Sequence, residues 1–148
     1  MLGSVYVGQE QSADPDALRI YSDKAPKPSG HYSQAMVHNG VVYVAGQLGG
    51  DPARPGAPPG TIEQQTEQTL KNIGEILKAA GSGLDQVLQM TIFVSDIALW
   101  GKVNEVYTRV MGDHKPARAV VPVKELHHGF QIEIQAMAVA KGGTSGSR

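Results

Sequence analysis

Two segments in the second half of the chain carry the residues best suited to chemistry. Arg118 follows Pro116 in a strand-like segment, and Glu133 comes fifteen residues later, between two isoleucines. A carboxylate in such an apolar setting is costly to bury unless it has a partner or reaches a water-filled cleft. Arg118 is the candidate cation. The pair predicts a site in which a guanidinium holds an anionic substrate and a carboxylate handles protons.

A structural interpretation competes with this prediction. One arginine and one glutamate, taken alone, more often form a structural ion pair or a solvated strand edge than an active site. The choice therefore depends on the rest of the chain.

Composition excludes several classes of protein. The chain has 148 residues, which fits one domain with its own core, and it has no cysteine, which excludes disulfides, thiolate nucleophiles and cysteine zinc sites. A net charge of −1 without long runs of like charge gives no reason to expect nucleic acid or an anionic membrane as a partner. No apolar run is long enough to span a membrane, and no signal-peptide pattern is present. We expect a cytoplasmic protein.

Hydrophobic periodicity and turn residues predict the order β-β-β-α-β-α-β-β. The Asn39-Gly40 dipeptide predicts a hairpin turn, Thr61 begins the first helix and Asp96 the second. This order implies an α+β domain, a six-stranded mixed sheet with both helices on one face. Residues 1–17 are expected to be a flexible segment, 18–141 the single domain and 142–148 a flexible tail.

The sheet face away from the helices has a mixed character. It is predicted to present polar side chains together with several apolar ones: Gln89, Phe93, Val120, Gln131, Glu133, Gln135, Met137 and Val139. An oligomer that packs these faces together would bury them, and clefts between subunits would be natural sites.

Five motifs in order resemble the Rid family, the reactive intermediate (enamine/imine) deaminases. They are Gly30-His31-Tyr32-Ser33-Gln34-Ala35, Val44-Ala45-Gly46-Gln47, Val103-Asn104-Glu105-Val106-Tyr107, Pro116-Ala117-Arg118 and Ile132-Glu133-Ile134. The resemblance covers about residues 18–141. Each motif alone is weak, but five in order with the Arg-to-Glu spacing kept are fairly specific.

The resemblance implies a fold similar to chorismate mutase and a homotrimer with sites between subunits. It also implies hydrolysis of 2-imino or 2-enamino acids to 2-keto acids and ammonia, without a metal or organic cofactor. An imine is already electrophilic, so positioning and one carboxylate could suffice.

The family's functional residues carry over to six positions. Arg118 is implied to grip the substrate carboxylate, and Glu133 to activate water and pass a proton to the departing ammonia. Four further residues are implied to bind substrate. Tyr32 and Asn104 are implied to line the pocket, and Gly46 and Val120 to form backbone hydrogen bonds with the ligand.

The chain also departs from the family pattern. His31 stands where many members have proline, Ala45 where a hydroxyl residue is common, and Val120 where cysteine is common. The approach to the last strand contains His127-His128, whose side chains should point apart, so we expect no metal site there. Because of these departures, the sequence does not specify the exact substrate. It also does not specify whether deaminase activity is retained.

Two alternatives follow. The first is a trimer of the same fold with a different small-molecule role, either another hydrolytic step or ligand sensing. The second is a ribonuclease, translation inhibitor or chaperone, labels that some members of the family carry. The near-neutral charge and an aromatic content of 5% disfavour nucleic acid as a partner.

Overall fold

The computed structural model describes residues 4–6 and 14–140, with side chains described from residue 14 onward. Seven strands form one mixed sheet in the order β1-β2-β3-β4-β7-β5-β6. Only β5 and β6 pair in parallel, and all other neighbours are antiparallel. The strands and helices are β1 (Ser4–Tyr6), β2 (Leu18–Tyr21), β3 (Ala35–His38), β4 (Val41–Gln47), α1 (Ile62–Ala79), β5 (Val87–Val94), α2 (Trp100–Met111), β6 (Ala117–Pro122) and β7 (Ile132–Val139).

This architecture confirms the α+β class and the two helices packed on a mixed sheet. The structure adds one strand to the six predicted, because Ser4–Tyr6 pairs with β2 at the sheet edge. Within the segment 1–17, residues 1–3 and 7–13 lie outside the described residues. The predicted tail 142–148 also lies outside them. Within the described ranges, none of the helices has the length and hydropathy needed to cross a bilayer.

Local sequence explains several of these elements. Asn39 and Gly40 both have positive φ, 52° and 77°, as a two-residue hairpin turn requires, and they join β3 to β4. At the start of α1, the Thr61 side chain accepts from the Gln64 backbone and the Gln64 side chain accepts from the Thr61 backbone. This is the predicted capping box, which satisfies two helix N–H groups that otherwise have no partner.

The core lies between the helices and one face of the sheet. It contains Leu70, Ile73 and Leu77 of α1 and the alternate residues Ile132 and Ile134 of β7, all fully buried. The alternation predicted for β7 is therefore confirmed, and its other residues point to the opposite, helix-free face, which we refer to as the open face.

The open face combines exposed apolar and polar side chains. Tyr43 is 47% exposed and Leu88 is 49% exposed. The alternation in β5 predicts that Leu88 shares the buried face with Met90, and this is wrong. A register shift between Val87 and Gln89 inserts an extra residue and turns Leu88 outward.

Candidate functional site

The Arg118 side chain contacts three side chains of α2. Its Nη1 donates a hydrogen bond to Asn104 Oδ1 at 3.1 Å. The guanidinium carbon lies 4.6 Å from the centroid of the Trp100 ring and 4.8 Å from that of the Tyr107 ring. Both distances are within the range of cation–π attraction. The guanidinium is thus held by two aromatic rings and one amide.

The helix brings these three partners together by its periodicity. Trp100, Asn104 and Tyr107 stand at positions i, i+4 and i+7 of α2 and so share one helix face. From periodicity alone, the sequence predicts an apolar stripe on this helix that includes Trp100 and Tyr107. The interleaved asparagine was the signal that this face also serves a polar partner.

Tyr107 is buried, with 5% of its surface exposed. Burial raises the pKa of this phenol above its ordinary value of 10.0, because the charged phenolate would be poorly solvated. The positive charge of Arg118 opposes part of that rise. Tyr107 therefore stays neutral at physiological pH.

Glu133 belongs to a second cluster, on the open face. It is half-buried, and its strand partner on β5 is Phe93. Its carboxyl group lies directly over Gly46, since a Cβ atom placed on Gly46 would stand 3.0 Å from Glu133 Cδ and closer still to one carboxylate oxygen. Any side chain at position 46 would displace this carboxylate.

Strand β4, which pairs with the strand that carries Glu133, is irregular near Gly46. The register between β4 and β7 shifts between Val44 and Gln47, so that Ala45 and Gly46 face one residue of β7, Gln135. Bulges of this kind take backbone groups out of the regular ladder and are frequent beside active sites. The bulge gives a structural basis for the prediction that Gly46 binds a ligand through its backbone.

Tyr32 belongs to the segment that precedes β3. The Ala45 N–H donates to the Gln34 carbonyl at 2.9 Å, which places the segment before β3 beside the bulge of β4. The Tyr32 side chain is 50% exposed, an unusual state for a tyrosine that serves only as a core anchor.

The two clusters point to opposite sides of the sheet. Arg118 is the bridge partner of the buried Met90, so it faces the helices, whereas Glu133 is the partner of Phe93 and faces away from them. The two residues are also two strands and three positions apart, about 14 Å between Cα atoms at standard spacings. Among the described residues the ion pairs do not include one between Arg118 and Glu133.

Val120 falls in the Arg118 cluster. The prediction that Val120 lies on the open face is wrong. Val120 is the bridge partner of Ile92 and packs against the core on the helix side. The physical reason is the parallel register of β6, which sequence alone does not specify. Since β6 is the edge strand, one side of its backbone has no strand partner among the described residues.

A depression of about 310 Å³ lies on the open face, among Tyr43, Gln89, Thr91, Gln135 and Met137. None of the six predicted site residues lines it. In the described part of the chain, no three potential metal-ligating side chains come together. His127 and His128 have ring centroids 5.9 Å apart and are exposed.

Known proteins resemble this chain over most of its length. The family model described as endoribonuclease L-PSP matches residues 22–140. The 2-iminobutanoate/2-iminopropanoate deaminase of Rattus norvegicus is 43% identical over 120 residues, which are 81% of this chain and 88% of the rat protein.

Two solved structures extend the comparison to the fold. YyfA of Yersinia pestis, described as a protein of unknown function of the conserved Rid protein family, is 35% identical with a TM-score of 0.80, covering 83% of this chain and 98% of that one. TdcF of E. coli, solved with bound serine, is 30% identical with a TM-score of 0.78, covering 82% and 97%.

Proposed function

Because the chain belongs to the endoribonuclease L-PSP family, and within it to the Rid proteins, we propose that it hydrolyses 2-imino and 2-enamino acids to 2-keto acids and ammonia. Relatives about 40% identical are 2-iminobutanoate/2-iminopropanoate deaminases, and this supports the assignment. In the structure, the assignment rests on two groups: the Arg118 guanidinium, which has no acidic partner among the described residues, and the Glu133 carboxylate over the bulge at Gly46.

The chemistry follows from these two groups. Arg118 binds the substrate carboxylate through parallel N–H donors. The Glu133 carboxylate accepts a proton from water as the water oxygen bonds to the imine carbon, and the imine nitrogen takes up a proton from solvent to give a carbinolamine. Glu133 then returns its proton to the nitrogen and the C–N bond breaks. Ammonia leaves as the C=O bond forms, and the hydroxyl proton passes to solvent. The scheme transfers no electrons, so it needs no redox cofactor.

The placement of the two groups implies that one chain does not hold a complete site. We propose a homotrimer in which Arg118, Asn104 and Val120 of one subunit face Tyr32, Gly46 and Glu133 of the next. The half-apolar open face supports assembly, because exposed residues such as Tyr43 and Leu88 would be buried in it. Location in the cytoplasm stays a prediction from the sequence.

The other functions considered have less support. The family description mentions an endoribonuclease, but a net charge of −1 gives no electrostatic reason to expect an RNA backbone as a partner. TdcF was solved with serine, a small molecule with an α-carboxylate, and this favours a small ligand that carries a carboxylate here.

A coupled assay tests the proposed function. An amino acid oxidase acting on alanine or 2-aminobutyrate would generate 2-iminopropionate or 2-iminobutyrate in place, and semicarbazide would trap the imine that survives. We expect the trapped imine to fall in proportion to the concentration of this protein, relative to spontaneous hydrolysis. The double variant R118A/E133Q serves as the negative control. An equal yield of trapped imine with and without the wild-type protein would contradict the proposed function.

A further inference from the structure

We infer that Trp100 and Tyr107, which we name the aromatic clamp, together with Asn104 are positioning residues that fix the Arg118 guanidinium for the substrate carboxylate. The inference rests on the proposed function, because it assigns these residues a role in substrate recognition. It concerns residues that act through Arg118 and do not themselves take part in proton transfer.

The first argument is the kind of partner that Arg118 has. A structural arginine at a strand edge is commonly paired with a carboxylate. Among the described residues Arg118 forms no ion pair, and its contacts are two rings and an amide oxygen, all neutral. Such partners hold the cation in place without cancelling its charge, so the full charge stays available to an anion.

The second argument is conformational. Arg118 is exposed on the edge strand β6, where a long side chain would ordinarily populate several rotamers. The clamp and the hydrogen bond to Asn104 hold it in one orientation before any ligand arrives. A ligand therefore does not have to order this side chain on binding, which is the general origin of a gain in affinity from preorganisation.

The third argument is donor capacity. A guanidinium carries five N–H donors in a planar fork. One Nη1 donor is taken by Asn104 Oδ1. Enough donors remain for a bidentate contact with a carboxylate, and the two rings and the amide limit how the group can turn.

Ligand affinity tests the inference directly. The probe is 2-ketobutyrate, the product of 2-iminobutyrate hydrolysis, titrated into the intact protein by calorimetry. We expect Trp100→Leu to weaken binding about tenfold, the scale of one partly desolvated cation–π contact. We expect Trp100→Phe to recover most of that loss, because it restores a ring face. Tyr107→Leu should behave like Trp100→Leu, and Tyr107→Phe should retain more affinity than Tyr107→Leu.

A double-mutant cycle distinguishes positioning from general stability. If the ring acts through Arg118, Trp100→Leu should produce no further loss of affinity in the Arg118→Ala background. The matched control is Val103→Ala, a buried position of the same helix that should lower the melting temperature and leave affinity at the wild-type value. The inference is overturned if Trp100→Leu binds like wild type, or if it weakens binding equally with and without Arg118.

The outcome can be separated from that of the proposed function. Absent imine hydrolysis together with retained coupling between Trp100 and Arg118 would reject the deaminase and leave the clamp standing. Normal hydrolysis with independent effects of the two substitutions would reject the clamp alone. A wild-type protein that does not bind 2-ketobutyrate would overturn the inference as well.

Discussion

Replacing Glu133 by glutamine is expected to lower kcat by about 10²–10⁴, the usual contribution of a positioned acid/base group. The substitution is nearly isosteric, and the amide would still fit over Gly46, where the structure places the carboxyl group. We therefore expect the variant to fold and to bind 2-keto acids such as pyruvate or 2-ketobutyrate. Steady-state imine hydrolysis and calorimetric titration of the keto acid measure the two effects separately.

The matched control is Glu67→Gln, which removes a carboxylate of the same size from the surface of α1, where it pairs with Arg109 at 3.5 Å. It should leave turnover at the wild-type value. Unchanged turnover in Glu133→Gln, with a lowered melting temperature, would show that Glu133 is a structural residue, and the deaminase mechanism would fail.

Replacing Arg118 by lysine is expected to remove most of the activity although the charge is kept. An ammonium group is a point charge that cannot form two parallel hydrogen bonds, and it lacks the planar guanidinium that lies over the Trp100 and Tyr107 rings. The loss of one charge-assisted hydrogen bond corresponds to about 10–100-fold in kcat/KM. We expect a rise in KM to carry most of the effect, because carboxylate binding is made in both the ground and the transition state.

Arg109→Lys is the matched control, since it makes the same change on the exposed side of α2, away from the Arg118 contacts. It should hydrolyse imines like the wild type. If Arg118→Lys also kept near wild-type kcat/KM, Arg118 would have no specific role in binding the substrate carboxylate.

Much of the fold was predictable because the relevant forces are local. The hairpin depends on two residues that tolerate positive φ, Asn39 and Gly40, and the start of α1 depends on the reciprocal bonds of Thr61 and Gln64. The alternation in β7 follows from the period of a strand. Each of these features is specified within a few residues, so the sequence is sufficient to predict it.

The arrangement of the site was less predictable because it depends on register between distant strands. Nothing local to Arg118 indicates that it pairs with Met90 and therefore faces the helices, whereas Glu133 faces away from them. The outward turn of Leu88 likewise depends on a bulge against β7. The sequence pattern predicts that Trp100 and Tyr107 are core residues. Their contact with the guanidinium becomes visible only when α2 is packed on β6.

The central claim is that Arg118 of one subunit and Glu133 of another complete one site, and a subunit-mixing experiment tests it most directly. Arg118→Ala and Glu133→Gln chains, each inactive alone, are unfolded together and refolded as a mixture. With equal amounts and random assembly, about one quarter of the sites (one half times one half) would combine an intact Arg118 with an intact Glu133. The account predicts a trimer by light scattering, with imine hydrolysis near a quarter of the wild-type rate. Activity no greater than the sum of the two separate variants would contradict it.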